Sequence, residues 1–310
     1  MNKEAGNEKK RILFMGTPEY AQKILQRLIK ESGMELVGVY TQPDRPVGRK
    51  KTMTPPPVKV TAEAANIPVC QPLSLKEEGI AEEIAAQSPD FIVVAAYGQL
   101  LPRAILKIAP CINLHASLLP KYRGASPIQE ALLHGDAVTG VTAMLMEEGL
   151  DSGPILAWRV VSVTPQTRKN ELFEKLATEA ADLTPMVIKA YDAIEPLPQC
   201  DADATYCRKI TRHDGRVTFA IAADELYNRF RAYEGWPGIY LENGLKLLEI
   251  EPAIGEGEPG RILSLEKDGV IVACGEGAVR IKTVQPPSKK PMDALSYLRG
   301  KRLKIADLLL

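Results

Sequence analysis

The sequence predicts an α/β protein, with a Rossmann-like parallel sheet followed by a small β-barrel domain. Between residues 11 and 193, short apolar runs such as 11–15 and 91–95 alternate with segments of helical periodicity. These runs end at glycine, proline or polar residues, which is typical of strands buried on both faces. Beyond Glu195 the chain changes to short strand-like runs separated by Gly-rich turns. Strands that alternate with helices indicate a parallel sheet, and closely spaced short strands indicate a barrel.

Capping and breaker residues delimit the first elements. Residues 11–15 predict a strand that ends at Gly16. Pro18 suits the first turn of a helix, so we expect Thr17 to cap a helix that runs to about Ser32. Residues 42–57 are rich in Pro, Arg and Lys, and they predict a long basic loop without a regular element. The other predicted elements of this half are a strand at 34–41, helices at 58–66 and 76–86, and strands at 91–95 and 111–114.

The later elements include a hairpin and the predicted barrel. Ser126 and Pro127 start a helix, strands at 138–146 and 155–163 form a hairpin, and residues 170–193 form a helix rich in Glu, Leu and Ala. Proline residues then break the chain at 195–198. A helix at 224–232 precedes short strands, which resemble an oligonucleotide-binding (OB) barrel. These strands lie near Gly238, Lys246, Arg261, Val270 and Ala278.

Composition sets the class of protein and the expected domains. Of the 310 residues, 45% are hydrophobic and 25% charged, as in an ordinary soluble protein, and the net charge is zero. We predict a flexible tail at 1–10, an α/β domain at 11–194, a linker at 195–204 and an OB-like domain at 205–310. The five cysteines form no Cys-x-x-Cys pair, which fits a reducing compartment. We expect a cytoplasmic monomer without membrane association, since neither a signal peptide nor an apolar run of about 18 residues occurs.

The strongest candidate site lies where the strand at 111–114 ends. Asn113 and His115 are two residues apart, so on an extended strand both project from the same face. Asp151 follows in Gly149-Leu150-Asp151-Ser152-Gly153, where it could orient His115 in the required tautomer. By themselves, His115 could simply satisfy hydrogen bonds at a strand end, and Asp151 could be a turn residue. Together they supply an amide donor, a base at neutral pH and a carboxylate.

The other motifs exclude several classes of enzyme. The Gly16-Thr-Pro turn lacks the second and third glycines of a dinucleotide site, and residues 48–52 lack the glycine that a P-loop requires. No serine or cysteine nucleophile elbow accompanies His115, so the candidate site suits direct group transfer rather than a covalent intermediate. The cysteines and histidines are too loosely spaced for a zinc site, and we expect no metal.

Four motifs in the same order resemble the folate-dependent formyltransferase family. They are Thr41-Gln42-Pro43-Asp44-Arg45-Pro46, Ala96-Tyr97-Gly98-Gln99-Leu100-Leu101-Pro102, the run from Asn113 to Pro127, and the Gly149–Gly153 motif. The family shares the Asn-x-His pair and the later Asp. The Gln-Pro-Asp-Arg-Pro loop and the C-terminal domain narrow the resemblance to the members that act on tRNA. Members often carry Asp after the last Gly of the fourth motif, where this chain has Pro154.

The resemblance implies a reaction and its catalytic residues. The formyl group of 10-formyltetrahydrofolate would pass to the amino group of methionine on initiator methionyl-tRNA, for translation initiation and without a metal. His115 would take the proton of the amine, Asp151 would support the resulting charge, and Asn113 would donate to the formyl oxygen.

The resemblance also implies two binding surfaces. The loop Ser117-Leu118-Leu119-Pro120 would contact the folate, with Leu118 and Leu119 flanking the pterin ring and backbone groups donating or accepting hydrogen bonds. Tyr97 and Gly98, which end the neighbouring strand, would contribute in the same way. The cations of the basic loop would contact tRNA phosphates, although a short charged run is often merely solvated. These cations are Arg45, Arg49, Lys50 and Lys51.

Two other functions stay open from the residues. A relative could formylate a small amine, such as a nucleotide or an amino sugar, but the basic loop and the C-terminal barrel argue against it. A non-catalytic RNA-binding protein could keep a degenerate enzyme fold, but the intact Asn113, His115 and Asp151 argue against that alternative.

Overall fold

A computed structural model of the chain describes residues 9–48 and 50–309. The predicted tail therefore lies almost wholly outside the described residues, and the first strand begins at Lys10. The chain divides into two compact units. The first contains residues up to 124, 138–162 and 173–207, and the second contains 125–137, 163–172 and the residues from 208 onward. Two segments that the sequence assigns to the α/β domain thus group with the C-terminal unit.

The first unit contains eleven strands in the described residues. They are β1 (Lys10–Gly16), β2 (Met34–Tyr40), β3 (Arg45–Val47), β4 (Thr52–Thr54), β5 (Val69–Cys70), β6 (Phe91–Ala95), β7 (Cys111–His115), β8 (Arg123–Gly124), β9 (Val138–Leu145), β10 (Ile155–Ser162) and β11 (Tyr206–Cys207). Seven of these form one sheet in the order β10-β9-β7-β6-β1-β2-β5. The strands from β7 to β5 are parallel, while β9 is antiparallel to β7 and β10 is antiparallel to β9. The predicted parallel sheet and hairpin are confirmed.

In the part of the chain that the structure describes, helices alternate with strands as predicted. They are α1 (Glu19–Ile29), α2 (Pro57–Ala64), α3 (Ile80–Ala86), α4 (Arg103–Leu106), α5 (Pro127–Leu133), α6 (Lys169–Ala190), α7 (Ala223–Ala232) and α8 (Ala294–Lys301). In α1, apolar residues at helical spacing, including Ile24, Leu25 and Leu28, are fully buried. The central strands β1 and β6 are almost entirely apolar and buried, because a parallel strand is covered on both faces.

Two local predictions are wrong. Thr17 does not cap α1: the N-cap is Pro18, and the Thr17 hydroxyl instead donates to the carbonyl oxygen of Tyr97 over 3.0 Å. The basic loop is not irregular, since β3 and β4 form a separate antiparallel ribbon that turns at Gly48. A two-stranded ribbon tolerates Pro46 because an edge strand does not require every N–H. Gly48 supplies the positive φ angle of 72° at the turn.

The C-terminal unit carries the predicted small β structure. Its strands are β12 (Ile239–Tyr240), β13 (Lys246–Ala253), β14 (Ile262–Glu266), β15 (Gly269–Ala273), β16 (Ala278–Gln285) and β17 (Met292–Asp293). They form an antiparallel sheet in the order β12-β13-β16-β15-β14, with β17 also paired to β16. In the same unit α5 packs against α7. The strands predicted near Gly238, Lys246, Arg261, Val270 and Ala278 are confirmed within one residue.

Candidate active site

The sheet positions Asn113 and His115 where its strand directions change. β7 runs parallel to β6 on one side and antiparallel to β9 on the other. Asn113 pairs with Met144 and His115 with Thr142 in the antiparallel ladder. Both side chains are largely buried, with Asn113 9% and His115 6% exposed. Ligands of open α/β sheets bind at the carboxyl ends of such strands, so this is the expected place for a reactive site.

The Asp151 carboxylate lies between Asn113 and His115, the other two predicted catalytic residues. Its Oδ1 accepts a hydrogen bond of 3.3 Å from the Asn113 amide, and its Oδ2 lies 3.6 Å from Nδ1 of His115. Oδ2 also accepts a 2.8 Å hydrogen bond from the main-chain N–H of Gly124. An amide nitrogen carries two hydrogens, so Asn113 can donate to Asp151 and to a second acceptor at once. The structure therefore brings Asn113, His115 and Asp151 into one cluster.

A main-chain carbonyl determines the tautomer of His115. Nε2 of the ring lies 2.9 Å from the carbonyl oxygen of Tyr122. A carbonyl can only accept, so Nε2 carries a hydrogen and donates it. In the neutral ring the lone pair is then on Nδ1, which faces Asp151. A proton taken up at Nδ1 would produce an imidazolium directly beside a carboxylate, and this arrangement suits a general base.

Pro154 fits the loop that carries Asp151. Its carbonyl oxygen accepts a 2.9 Å hydrogen bond from the N–H of Leu145, so it continues the ladder between β9 and β10. Proline is tolerated at the start of a strand, where its own N–H is not required. Asp151 itself has a φ angle of +50°, a left-handed conformation that Asp adopts more readily than most residues. The departure from the family motif is thus compatible with the position of Asp151.

Most of the backbone in the loop from Ser117 to Pro120 is bonded within the protein. Thr142 donates to the Ser117 carbonyl over 2.7 Å, and its hydroxyl oxygen accepts from the Leu119 N–H over 3.0 Å. The Leu118 and Pro120 carbonyls accept from Lys121 and Thr205. Ser117 and Leu119 are buried, whereas Leu118 and Pro120 are partly exposed. The side chains of Leu118 and Pro120 are therefore the parts of this loop that are accessible to a ligand.

An apolar cavity of about 290 Å³ lies beside this loop. Leu118, Leu119 and Pro120 form part of its wall, and Trp158, which is 51% exposed, forms another part. Gln199 also lines it. A cavity with apolar walls and a few polar groups is typical of a small-molecule site.

Tyr97 and Gly98 differ in what they present at the end of β6. Tyr97 is buried, burial raises the pKa of its hydroxyl to about 12, and this hydroxyl has no hydrogen-bond partner among the described residues. Gly98 is exposed and has a φ angle of +85°. Of the two, Gly98 therefore offers accessible backbone to a ligand.

Three of the four predicted tRNA-contacting cations lie on the ribbon of β3 and β4. Arg45, Lys50 and Lys51 are exposed, and Arg49 lies outside the described residues. The Arg45 guanidinium donates to the Gln42 side chain over 3.0 Å. Val47 and Met53, 56% and 60% exposed, lie on the same ribbon. The ribbon thus presents cations and apolar side chains together.

The sequence missed a group of residues that hold the candidate catalytic cluster. Gln199 donates to the carbonyl oxygens of Asp151 and Gly153, and its own oxygen accepts two bonds from Arg123. The Thr205 hydroxyl accepts from the Tyr122 N–H over 2.8 Å. No sequence pattern indicates that Gln199 or the rest of the predicted linker contacts the cluster, because Gln199 is 48 residues from Asp151. The run Tyr122-Arg123-Gly124 was part of a recognised motif but had no assigned role.

Family models match both parts of the chain. The model described as formyl transferase matches residues 10–188, and the model for the formyl transferase C-terminal domain matches residues 209–302. A methionyl-tRNA formyltransferase from Nitratiruptor sp. is 55% identical over 301 residues, covering 96% of this chain and 99% of the relative. The methionyl-tRNA formyltransferase from Wolinella succinogenes is 54% identical over 303 residues, with the same coverage.

Solved structures with the same fold share few residues with this chain. WlaRD, a sugar 3N-formyl transferase solved in the presence of dTDP and 5-N-formyl-THF, has a TM-score of 0.67 at 17% identity, covering 91% of this chain and 100% of that chain. HypX from Aquifex aeolicus in complex with tetrahydrofolic acid has a TM-score of 0.60 at 18% identity, covering 94% of this chain and 47% of that chain. Within the described residues, no helix combines the length and apolar character needed to cross a membrane.

Proposed function

The chain belongs to the methionyl-tRNA formyltransferase family, and we propose that it transfers the formyl group of 10-formyltetrahydrofolate to the α-amino group of methionine on initiator methionyl-tRNA. The observation that carries this proposal is the cluster of Asn113, His115 and Asp151 at the end of β7, in a chain 55% identical to a methionyl-tRNA formyltransferase. The reaction serves translation initiation, and we place it in the cytoplasm.

His115 is proposed as the general base. The attacking amine must be neutral, and a free α-amino group titrates near ~7.7–8.0. Nδ1 of His115 takes the proton that the amine loses as its nitrogen bonds to the formyl carbon. Asp151 Oδ2, at 3.6 Å, stabilises the imidazolium that results. The folate supplies the formyl carbon, and its nitrogen takes up one proton when the old carbon–nitrogen bond breaks.

Asn113 is proposed to stabilise the charge that develops on the formyl oxygen. Its amide nitrogen already donates one hydrogen to Asp151 and has a second to give. A preorganised donor of this kind contributes about 2.7–4 kcal/mol of transition-state stabilisation in comparable sites. Asp151 thereby serves both partners, since its two oxygens orient the Asn113 amide and face His115.

The folate is proposed to contact the loop from Ser117 to Pro120 together with Tyr97 and Gly98. Partly exposed Leu118 and Pro120 at the cavity, and the accessible backbone of Gly98, support this assignment. Trp158 in the cavity wall and Trp236 are the two tryptophans of the chain. In a Trp236→Phe background, tetrahydrofolate is expected to quench the fluorescence of Trp158. Unchanged fluorescence in a protein that binds folate would move the folate site away from this cavity.

The tRNA is proposed to contact the cations Arg45, Arg49, Lys50 and Lys51, and the C-terminal domain. Lysine and arginine side chains supply contacts for the phosphates of a nucleic acid, and Arg45, Lys50 and Lys51 are exposed. The domain boundaries 11–194, 195–204 and 205–310 are part of this proposal, and so is action as a monomer. Light scattering in the presence and absence of tRNA would measure the mass directly.

An assay of labelled formyl transfer tests the proposal. Initiator methionyl-tRNA, uncharged tRNA and an amino-sugar nucleotide are compared as acceptors. We expect transfer to the charged tRNA alone. Preferred transfer to the amino sugar would favour the small-amine alternative, and tRNA binding without any transfer would favour a non-catalytic RNA-binding protein.

A further inference from the structure

Gln199 uses all of its hydrogen-bonding groups to link two segments of the candidate active site. Its amide nitrogen donates to the carbonyl oxygens of Asp151, at 2.8 Å, and Gly153, at 2.7 Å. Its amide oxygen accepts from Nε and Nη2 of Arg123, at 3.0 and 2.9 Å. A primary amide with two donors and an acceptor is suited to this double role, whereas a carboxylate could only accept.

Arg123 is a buried cation with few alternatives to this position. Its side chain is 2% exposed, and Nη1 forms a 2.8 Å ion pair with Asp201. Nη1 also lies 3.4 Å from the Tyr206 hydroxyl, and the guanidinium carbon lies 5.9 Å from the centre of the Tyr206 ring. A buried guanidinium needs most of its donors satisfied, so this set of partners holds the side chain firmly.

The neighbours of Arg123 in the chain are the backbone groups that touch the catalytic cluster. The Tyr122 carbonyl accepts from His115, and the Gly124 N–H donates to Asp151. Arg123 therefore anchors the backbone that contacts both side chains, and through Gln199 it anchors the backbone of Asp151 as well. Asp151 is held at both ends, by its carboxylate and by its carbonyl.

We propose that Arg123 and Gln199 are positioning residues for formyl transfer, which keep the Asp151 carboxylate against Asn113 and His115. Asp151 lies on a loop with a φ angle of +50°, where the hydrogen bonds from Gln199 and Gly124 hold its carbonyl and its carboxylate. Displacing a reacting or orienting group by about 1 Å can cost about 10²-fold in rate. This inference rests on the proposed function and names residues for which the sequence predicted no role.

The test compares Gln199→Ala, Gln199→Glu and Arg123→Lys with the unmodified full chain in formyl transfer to initiator methionyl-tRNA. We expect kcat to fall by about 10–100-fold in each variant, as when a supporting hydrogen-bond partner is removed. The KM for the tRNA should change by less than about threefold, because the tRNA-contacting cations are untouched. Gln199→Glu keeps an acceptor for Arg123 but loses both donors to the Asp151 loop. The matched control is Gln22→Ala, which removes one side-chain bond between α1 and α2.

A double-mutant cycle separates positioning from general destabilisation. If Gln199 acts through Asp151, then adding Gln199→Ala to Asp151→Asn should cost less than about threefold in kcat. Thermal unfolding of every variant is measured alongside. An unmodified enzyme that does not formylate charged tRNA overturns the proposed function. An active enzyme in which Gln199→Ala keeps its kcat, or in which the two substitutions multiply fully, overturns the positioning role.

Discussion

The main-chain N–H of Gly124 donates a 2.8 Å hydrogen bond to Oδ2 of Asp151, the oxygen that faces His115. Gly124 has a φ angle of +122°, and a Cβ at this position would collide with the carbonyl oxygen of Cys207. The pairing of β8 with β11 brings these two backbones together. A glycine is thus required where the backbone must both approach β11 and donate to the candidate catalytic carboxylate.

Gly124→Ala should damage activity and stability together. The strained backbone costs about 1–3 kcal/mol, and the shifted N–H releases the Asp151 carboxylate. We expect a lower melting temperature and a fall in kcat of about 10²-fold. Gly300→Ala, in α8 where a Cβ meets no atom within 4 Å, is the control and should stabilise by about 0.4–1 kcal/mol. Unchanged kcat in Gly124→Ala would remove the Gly124 hydrogen bond from the mechanism.

Substitutions of the cluster itself should act on the chemical step. His115→Ala and Asn113→Ala are each expected to lower kcat by about 10²–10⁴-fold, because both side chains act on the transition state. Initiator methionyl-tRNA binding, measured by filter binding, should change little. Near-normal turnover in either variant would exclude that residue from catalysis. Losses in the double variant should not multiply, since the residues share Asp151.

The ribbon cations are tested through the salt dependence of tRNA binding. Replacing Lys50 and Lys51 by Ala should weaken tRNA binding and reduce the slope of log affinity against log salt by roughly 0.7–0.9 for each phosphate that is no longer neutralised. The control is the replacement of Lys30 and Lys107 by Ala. Both lysines are exposed, and they lie at the C-terminal ends of α1 and α4. Each of these helices leads into the amino end of a strand, whereas the candidate site lies at the carboxyl end of β7. Tetrahydrofolate affinity should not change. A slope that is unaffected when Arg45, Arg49, Lys50 and Lys51 are all neutralised would indicate a merely solvated ribbon.

Asp214 makes the stability of the C-terminal unit depend on acidity. The hydrogen bonds of Asp214 with Arg208 and Thr211 outweigh burial and hold the pKa of this carboxyl well below its usual value. A carboxyl whose pKa is lower in the folded than in the unfolded protein stabilises the folded state at pH values above its unfolded-state pKa of about 3.9. This stabilisation is lost as the pH falls toward the pKa in the folded state.

Asp214→Asn should therefore destabilise the protein at pH 7 by about 1 kcal/mol, because it weakens the hydrogen bonds with Arg208 and Thr211. The difference from the unmodified protein should shrink as the pH falls below about 5, as measured by urea unfolding. Glu242→Gln removes an exposed ion pair with Arg216 and should change stability by no more than about 1 kcal/mol. A difference that stays constant down to pH 2 would show that the charge of Asp214 does not contribute.

A fragment ending at Leu197 tests the proposed domain boundaries. The sequence predicts that this fragment folds and binds folate, because its strands and helices form a complete set. The packing of the full chain predicts a less stable fragment, since α5, with buried Ile128 and Leu132, loses α7, and Asp151 loses Gln199. We expect a lower melting temperature and weaker tetrahydrofolate binding than in the full chain. A fragment ending at Cys207 contains Gln199 again and should bind tetrahydrofolate more tightly than the fragment ending at Leu197. Equal tetrahydrofolate binding by the two fragments would support the domain boundary at 194.

Local patterns were sufficient for the sheet, most helices and the pair on β7. The alternation of apolar runs and helical segments is a local property, and so is the two-residue spacing that puts Asn113 and His115 on one face. Both reach Asp151 in the structure, which agrees with that spacing. The ribbon of β3 and β4 escaped prediction because its strands are only three residues long and fully exposed, which is too short to show an alternating apolar pattern.

The hydrogen bonds that hold Asn113, His115 and Asp151 in place come from parts of the chain that are distant in sequence. The Tyr122 carbonyl, rather than Asp151, fixes the tautomer of His115, and Arg123 meets Gln199 across 76 positions of sequence. Such contacts follow from the path of the backbone, and main-chain donors and acceptors look the same at every residue except proline. Residue identity therefore predicted which side chains form the candidate cluster. The tertiary structure decided which backbone groups and side chains hold them in place.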